Sequence, residues 1–158
     1  MESYEKILEG ILPEVSFGVE TIHVCRASQL PDLQTGYSIS PTGEQLTGTG
    51  AGDWRKEWVV IGYEDCCGDP IFIDSSARGF PVYTAVHGEG SWEPTPIAVS
   101  LEAFGRALSA VTHTAQGRGH PVALEGNPLS QREKEATLAT IQRDNPGLNL
   151  EFWEILLS

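Results

Sequence analysis

Residues 58–108 read WVVIGYEDCCGDPIFIDSSARGFPVYTAVHGEGSWEPTPIAVSLEAFGRAL. Short β-type runs occupy Trp58–Gly62, Pro70–Asp74 and Pro81–His87. Turn residues separate them: Gly68-Asp69-Pro70 before the second run, Gly79 before the third, Gly88 and Gly90 after it. Parallel neighbours need crossovers of about a dozen residues or more, and no link here has that length. The stretch is therefore expected to form an antiparallel sheet. Ser100 then caps a helix in which Leu101, Phe104, Leu108, Val111 and Ala115 recur on one face, so that face should lie on the sheet. Gly105 costs that helix about 1 kcal/mol relative to alanine and implies a close packing contact.

Outside this core the pattern is mostly helical. Tyr4, Ile7, Leu8 and Ile11 fall at helical spacing and are stopped by Gly10 and Pro13. Phe17 to Arg26 reads as one strand, with His23 as an exposed member. Glycines and prolines break every period from 28 to 53, which makes a mobile surface loop the expectation there. Gly48-Thr-Gly-Ala-Gly52 lacks the lysine and the flanking elements of a phosphate loop. Pro121 to Leu129 reads as a linker. Ser130 and Glu133 form a capping box for a helix reaching about Arg143, ended by Asn145-Pro146-Gly147. Asn149 can cap a last helix, with Phe152, Ile155 and Leu156 as its apolar stripe beside Trp153 and Leu157. So hydrophobic a segment must dock, first of all on the chain's own core.

Size and composition fit one α+β domain over 1–158, with a central, mostly antiparallel sheet of about four to six strands, the core motif at 58–108 and helices at 130–157. The chain has 158 residues, 40% of them hydrophobic. No apolar run is long enough to cross a bilayer, and the first residues lack the features of a signal peptide, so a cytoplasmic protein is expected, with no membrane partner. Cys25, Cys66 and Cys67 lack C-x-x-C spacing and read as free thiols of a reducing compartment. Ten Lys plus Arg against 22 Asp plus Glu give a formal charge of −12. Such a chain repels phosphate backbones, which argues against a nucleic-acid partner, and its acidity serves either solubility or steering toward a basic protein partner.

The polar groups of the central stretch admit several chemistries. Asp69, Asp74, His87 and Glu89 match neither a calcium loop nor a zinc motif, so no metal and no cofactor are expected. Asp74, His87 and Glu89 could serve a small hydrolase, but Ser75, Ser76 and Ser91 lie in no nucleophile elbow. A binding surface fits better. Between Asp53 and Glu93 eight acids face three bases, and Trp92 stands among them as either an exposed anchor or a core residue. The candidate partner-binding residues are Glu64, Asp65, Asp69, Asp74, Glu89, Trp92 and Glu93.

Trp58-Val-Val-Ile-Gly62, Gly68-Asp69-Pro70-Ile-Phe-Ile-Asp74, Pro81-Val82-Tyr83 and Ile97-Ala98-Val99-Ser100-Leu101-Glu102-Ala103-Phe104 together resemble the core pattern of the SUKH superfamily. That superfamily includes the fungal Smi/Knr cell-wall regulators and many bacterial immunity proteins. The pattern departs at Leu101, where the family usually has Phe, and at Gly105, where a larger apolar residue is usual. The resemblance implies a non-catalytic protein-binding module, foremost an immunity protein that neutralises a cognate toxin, often a basic nuclease. A regulatory or scaffold subunit of the same fold is the alternative within the family.

Overall fold

The computed structural model describes residues 2–158. Six strands form one antiparallel sheet in simple sequence order. They are β1 (Glu14–Phe17), β2 (Glu20–Val24), β3 (Trp58–Glu64), β4 (Pro70–Asp74), β5 (Val82–Thr84) and β6 (Thr95–Ala98). The helices are α1 (Tyr4–Glu9), α2 (Leu30–Leu33), α3 (Leu101–Thr114), α4 (Pro121–Gly126), α5 (Gln131–Asp144) and α6 (Glu151–Leu156). An α+β architecture with an antiparallel sheet is thus what the chain adopts.

Several local expectations change. The run 17–26 is not one strand: Gly18 and Val19 join β1 to β2, and Gly18 takes the positive φ of 59° that a tight hairpin needs. The third central run shortens to β5, because His87 is drawn back by Asp69, whose Oδ1 accepts from its backbone N–H. Residues 121–126 form α4 in place of a linker, capped by the His120 ring, which accepts from Ala123 N, and started by Pro121.

β4 is buried on both sides, and this sets the layers. Ile71 and Ile73 face the larger core with Ile22, Ile97, Leu101, Phe104 and Leu108 beneath α3. Phe72 faces a second cluster with Trp54, Val60 and Ala85. A bulge at Ile61 lets β3 serve both: Val60 pairs with Phe72 and Gly62 with Ile71, so Ile61 is the extra residue and points to the helix side. A Cβ on Gly62 would lie 2.0 Å from His23 O, which explains the glycine. Gly105 lets α3 approach Ile11, whose Cγ1 would be 3.1 Å from an added Cβ, the close contact expected of it.

The second cluster is closed by Leu33, Tyr37 and Trp54, which residues 28–56 contribute, while 41–53 stay largely exposed as the surface loop expected there. Gln34 replaces a missing strand partner: its side-chain amide donates to Val60 O at 2.8 Å and accepts from Val60 N at 2.9 Å. In the glycine-rich segment the Asp53 carboxylate accepts from Gly50 N at 2.9 Å, and Gly52 O accepts from Trp92 N at 2.8 Å. The loop's donors serve its own closure, which delivers Trp54 into the sheet. Trp54 then meets Phe72 at 4.6 Å and Tyr37, Trp58 and Trp92 at 5.2 Å between ring centroids.

On the helix side, Ser130 and Glu133 form the expected capping box of α5. Asn145, fully buried, ties the end of α5 to the sheet: its Oδ1 accepts from Val99 N at 2.8 Å and its Nδ2 donates to Ile141 O at 2.9 Å. Asn149 Oδ1 accepts from Glu151 N at the start of α6. The α6 stripe is rotated from expectation. Trp153, Leu156 and Leu157 are buried, whereas Ile155 is 67% exposed.

Candidate functional site: an acidic rim and the groove beneath it

The simple strand order assigns every connection to one of two ends of the sheet. The β1–β2, β3–β4 and β5–β6 links share one end, which we call the rim. Of the candidate partner-binding residues, Glu64, Asp65, Asp69, Glu89, Trp92 and Glu93 belong to this rim, and β2 adds Glu20. Asp74 does not. It ends β4 at the opposite edge, where its Oδ1 accepts from Ser76 N and Ser76 Oγ, so it caps its own turn. At about 3.4 Å per strand residue, the five steps from Asp69 place it about 17 Å away. His87 is bound to Asp69, Nδ1 to Oδ1 at 2.7 Å, and so Asp74, His87 and Glu89 do not come together as a hydrolase would require.

Trp92 lies closer to the core reading than to the exposed one. Its indole packs on Tyr37 and Trp54 as a half-buried wall of the second cluster, and its own loop carries the exposed Glu89 and Glu93. Asp65 Oδ2 accepts from His23 Nε2 at 3.0 Å, and the His23 ring stacks on Tyr63 at 4.6 Å. The rim loops contain no Lys or Arg: none occurs between Glu57 and Ala77 or between Gly79 and Gly105.

Glu64 is the surprise of the set. It stands opposite Ile22 in the ladder, so its side chain enters the helix-facing side and is only 7% exposed. Its Oε1 accepts from Asp69 N at 2.9 Å and Cys67 N at 3.1 Å, which folds the β3–β4 turn around the carboxylate. Glu20, two residues before Ile22, points the same way and accepts from Thr21 N at 3.0 Å and Asp65 N at 3.1 Å. Carboxylate oxygens of Glu20 and Glu64 and the Cys66 thiol lie within 4.8 Å of one another, as do Glu64, Cys67 and Asp69. These groups offer oxygen and sulfur ligands to a cation.

The same crowding governs protonation. Burial, followed by the bond and the charge from Glu64, raises the Glu20 carboxyl above its ordinary range. Desolvation and the Glu20 and Glu64 carboxylates push the Cys66 thiol up to about 11. The Glu64 charge raises Cys67 as well. Neutral thiols among carboxylates make poor nucleophiles, in keeping with the reading of Cys66 and Cys67 as free thiols.

The folded chain holds the Glu20 proton more tightly than the unfolded one, so the unfolded state binds fewer protons between the ordinary and the raised value. Stability therefore falls as pH rises through that window. Glu20→Gln keeps an acceptor for the turn amides and removes the charge. It is expected to unfold at a higher urea midpoint than the parent at neutral pH, with the difference vanishing as pH falls below the glutamate range. An equal difference at both pH values would contradict this.

The groove above these carboxylates was not foreseen. Phe17, Val19, Thr84, Phe152, Ile155 and Leu156 wall a cavity of about 360 Å³ whose floor holds Glu20, Glu64 and Asp69. Its far wall is α6, remote in sequence from the rim. The rotated stripe that leaves Ile155 exposed would have pointed to it. No family model, curated protein or solved structure matches this chain.

Proposed function

We propose that this chain is a non-catalytic protein-binding module that captures a basic protein on its acidic rim, as a bacterial immunity protein of the SUKH type captures and neutralises a cognate toxin. The observation that carries this reading is the gathering of Glu20, Asp65, Asp69, Glu89 and Glu93 at one end of the sheet, above the buried Glu64, with no Lys or Arg in the loops between them. A single-signed surface of this kind steers an oppositely charged partner and fixes its orientation. Val19 and Ile155, 72% and 67% exposed, supply apolar contact beside the charge. The segments that resemble the superfamily form β3, β4, β5 and the entry to α3, the scaffold that holds the rim loops.

Capture from lysate of the source cell at low and moderate salt tests the reading. The expected result is one basic protein, retained at low salt and released as the Debye length shortens to about 8 Å near physiological ionic strength and further above it. Recovery of a large assembly indifferent to salt would favour a scaffold subunit instead.

A further inference from the structure

We infer that the groove between the rim and α6 is a socket for an arginine side chain of the basic partner. The inference rests on the capture reading and names the residue that anchors it. Three observations carry it.

The first is the chemistry of the cavity, apolar walls over a carboxylate floor. Phe17, Val19, Phe152, Ile155 and Leu156 suit an aliphatic stem, and Glu20 and Glu64 suit the charged head. The second is the lack of an internal cation. No Lys or Arg among the described residues forms an ion pair with Glu20, Glu64, Asp65 or Asp69; Asp65 and Asp69 are met only by His23 and His87. Lys134 reaches Ser158 Oγ at 3.3 Å, on the groove's lining, and bonds none of the floor carboxylates. The third is the burial of Glu64, answered by backbone N–H groups of its own turn and by the neighbouring Glu20 carboxyl but by no cation among the described residues. A buried carboxylate beside a second one is costly until a cation meets it. Guanidinium fits better than ammonium here, since its planar fork bridges two carboxylates and is more weakly hydrated.

The groups facing Glu20 are Glu64, Cys66, Cys67 and Asp69 from the β3–β4 turn, with Asp65 adjoining; α6 presents Phe152, Ile155 and Leu156. A guanidinium favours the charged form of Glu20, so its binding should weaken as pH falls and that carboxyl takes up its proton. The raised Glu20 carboxyl agrees with this.

The test titrates the full, isotope-labelled chain with N-acetyl-arginine methylamide, its lysine counterpart and its uncharged norleucine counterpart. Saturable shifts of the Cys66, Cys67 and Asp69 amides are expected, tighter for arginine than lysine, absent for norleucine and weaker as pH falls. Glu64→Gln and Glu20→Gln should each weaken arginine binding about tenfold. Both keep acceptors for the turn amides, and Glu20→Gln is itself expected to be the more stable chain. Equal shifts from all three probes, or shifts from zinc ion and none from arginine, would overturn the socket. Arginine binding in the groove without capture of any basic protein would uphold the socket and defeat the capture reading. Capture undiminished by Glu64→Gln would defeat the socket and leave the capture reading standing.

Discussion

Replacing Trp153 by alanine is expected to lower the unfolding free energy by about 3–5 kcal/mol, the cost of truncating a large buried aromatic. Trp153 is completely buried, lies 6.0 Å from the Phe104 ring and 5.0 Å from the Phe152 ring, and donates its Nε1–H to Ile97 O at 2.9 Å. The variant loses that donor together with the packing that docks α6 on β6 and α3. The groove wall goes with it, because Phe152 and Leu156 ride on the same helix. Ile155→Ala on the exposed side should stay within about 0.5 kcal/mol of the parent. Urea unfolding of the two variants checks the orientation of α6. Equal losses would mean that the helix presents a different face.

Trp54→Ala is expected to cost a similar amount, about 3–5 kcal/mol, for a different reason. Trp54 is only 2% exposed and is the hub of the outer cluster, touching Tyr37, Trp58, Phe72 and Trp92. It closes a face of the sheet that, among the described helices, the short α2 reaches through Leu33. Its removal should also loosen the segment in which Gln34 holds both backbone groups of Val60. The expected signature beyond the lower midpoint is faster amide hydrogen exchange at Val60, with the amides between β3 and β4 still protected. Unchanged exchange at Val60 would show that Gln34 and its segment stand without the tryptophan.

Much of the fold was legible because it is local. Ser100 and the Ser130–Glu133 box mark helix starts through side chains that bond the first free amides, and such signals need no knowledge of the tertiary structure. The central strands were legible from their β-branched runs and turn glycines. The edges were not. β1 is four residues long between Pro13 and Gly18, and β6 contains Pro96, which an edge strand tolerates because its missing N–H faces no partner. The outer cluster stayed hidden because Tyr37, Trp54 and Trp92 are separated by glycine-rich segments and meet only on the folded sheet. Acidity at the rim was visible in the chain, and strand order decides which acids share an end. Sequence alone groups Asp74 with the other acids, and β4 carries it to the opposite end of the sheet. Glu20 and the α6 wall are long-range products of the hairpin and of the docking of Trp153.

Asp74 also supplies the control for capture at the rim. With the captured basic partner in hand, association should be measured for Asp65→Lys with Glu89→Lys at the rim and for Asp74→Lys at the far edge, each at two ionic strengths. The expected result is slower association and weaker binding for the rim variant, with a reduced dependence on salt, and parent-like behaviour for Asp74→Lys. Equal losses in both variants, or a rim variant that binds as the parent does, would contradict capture through this end of the sheet.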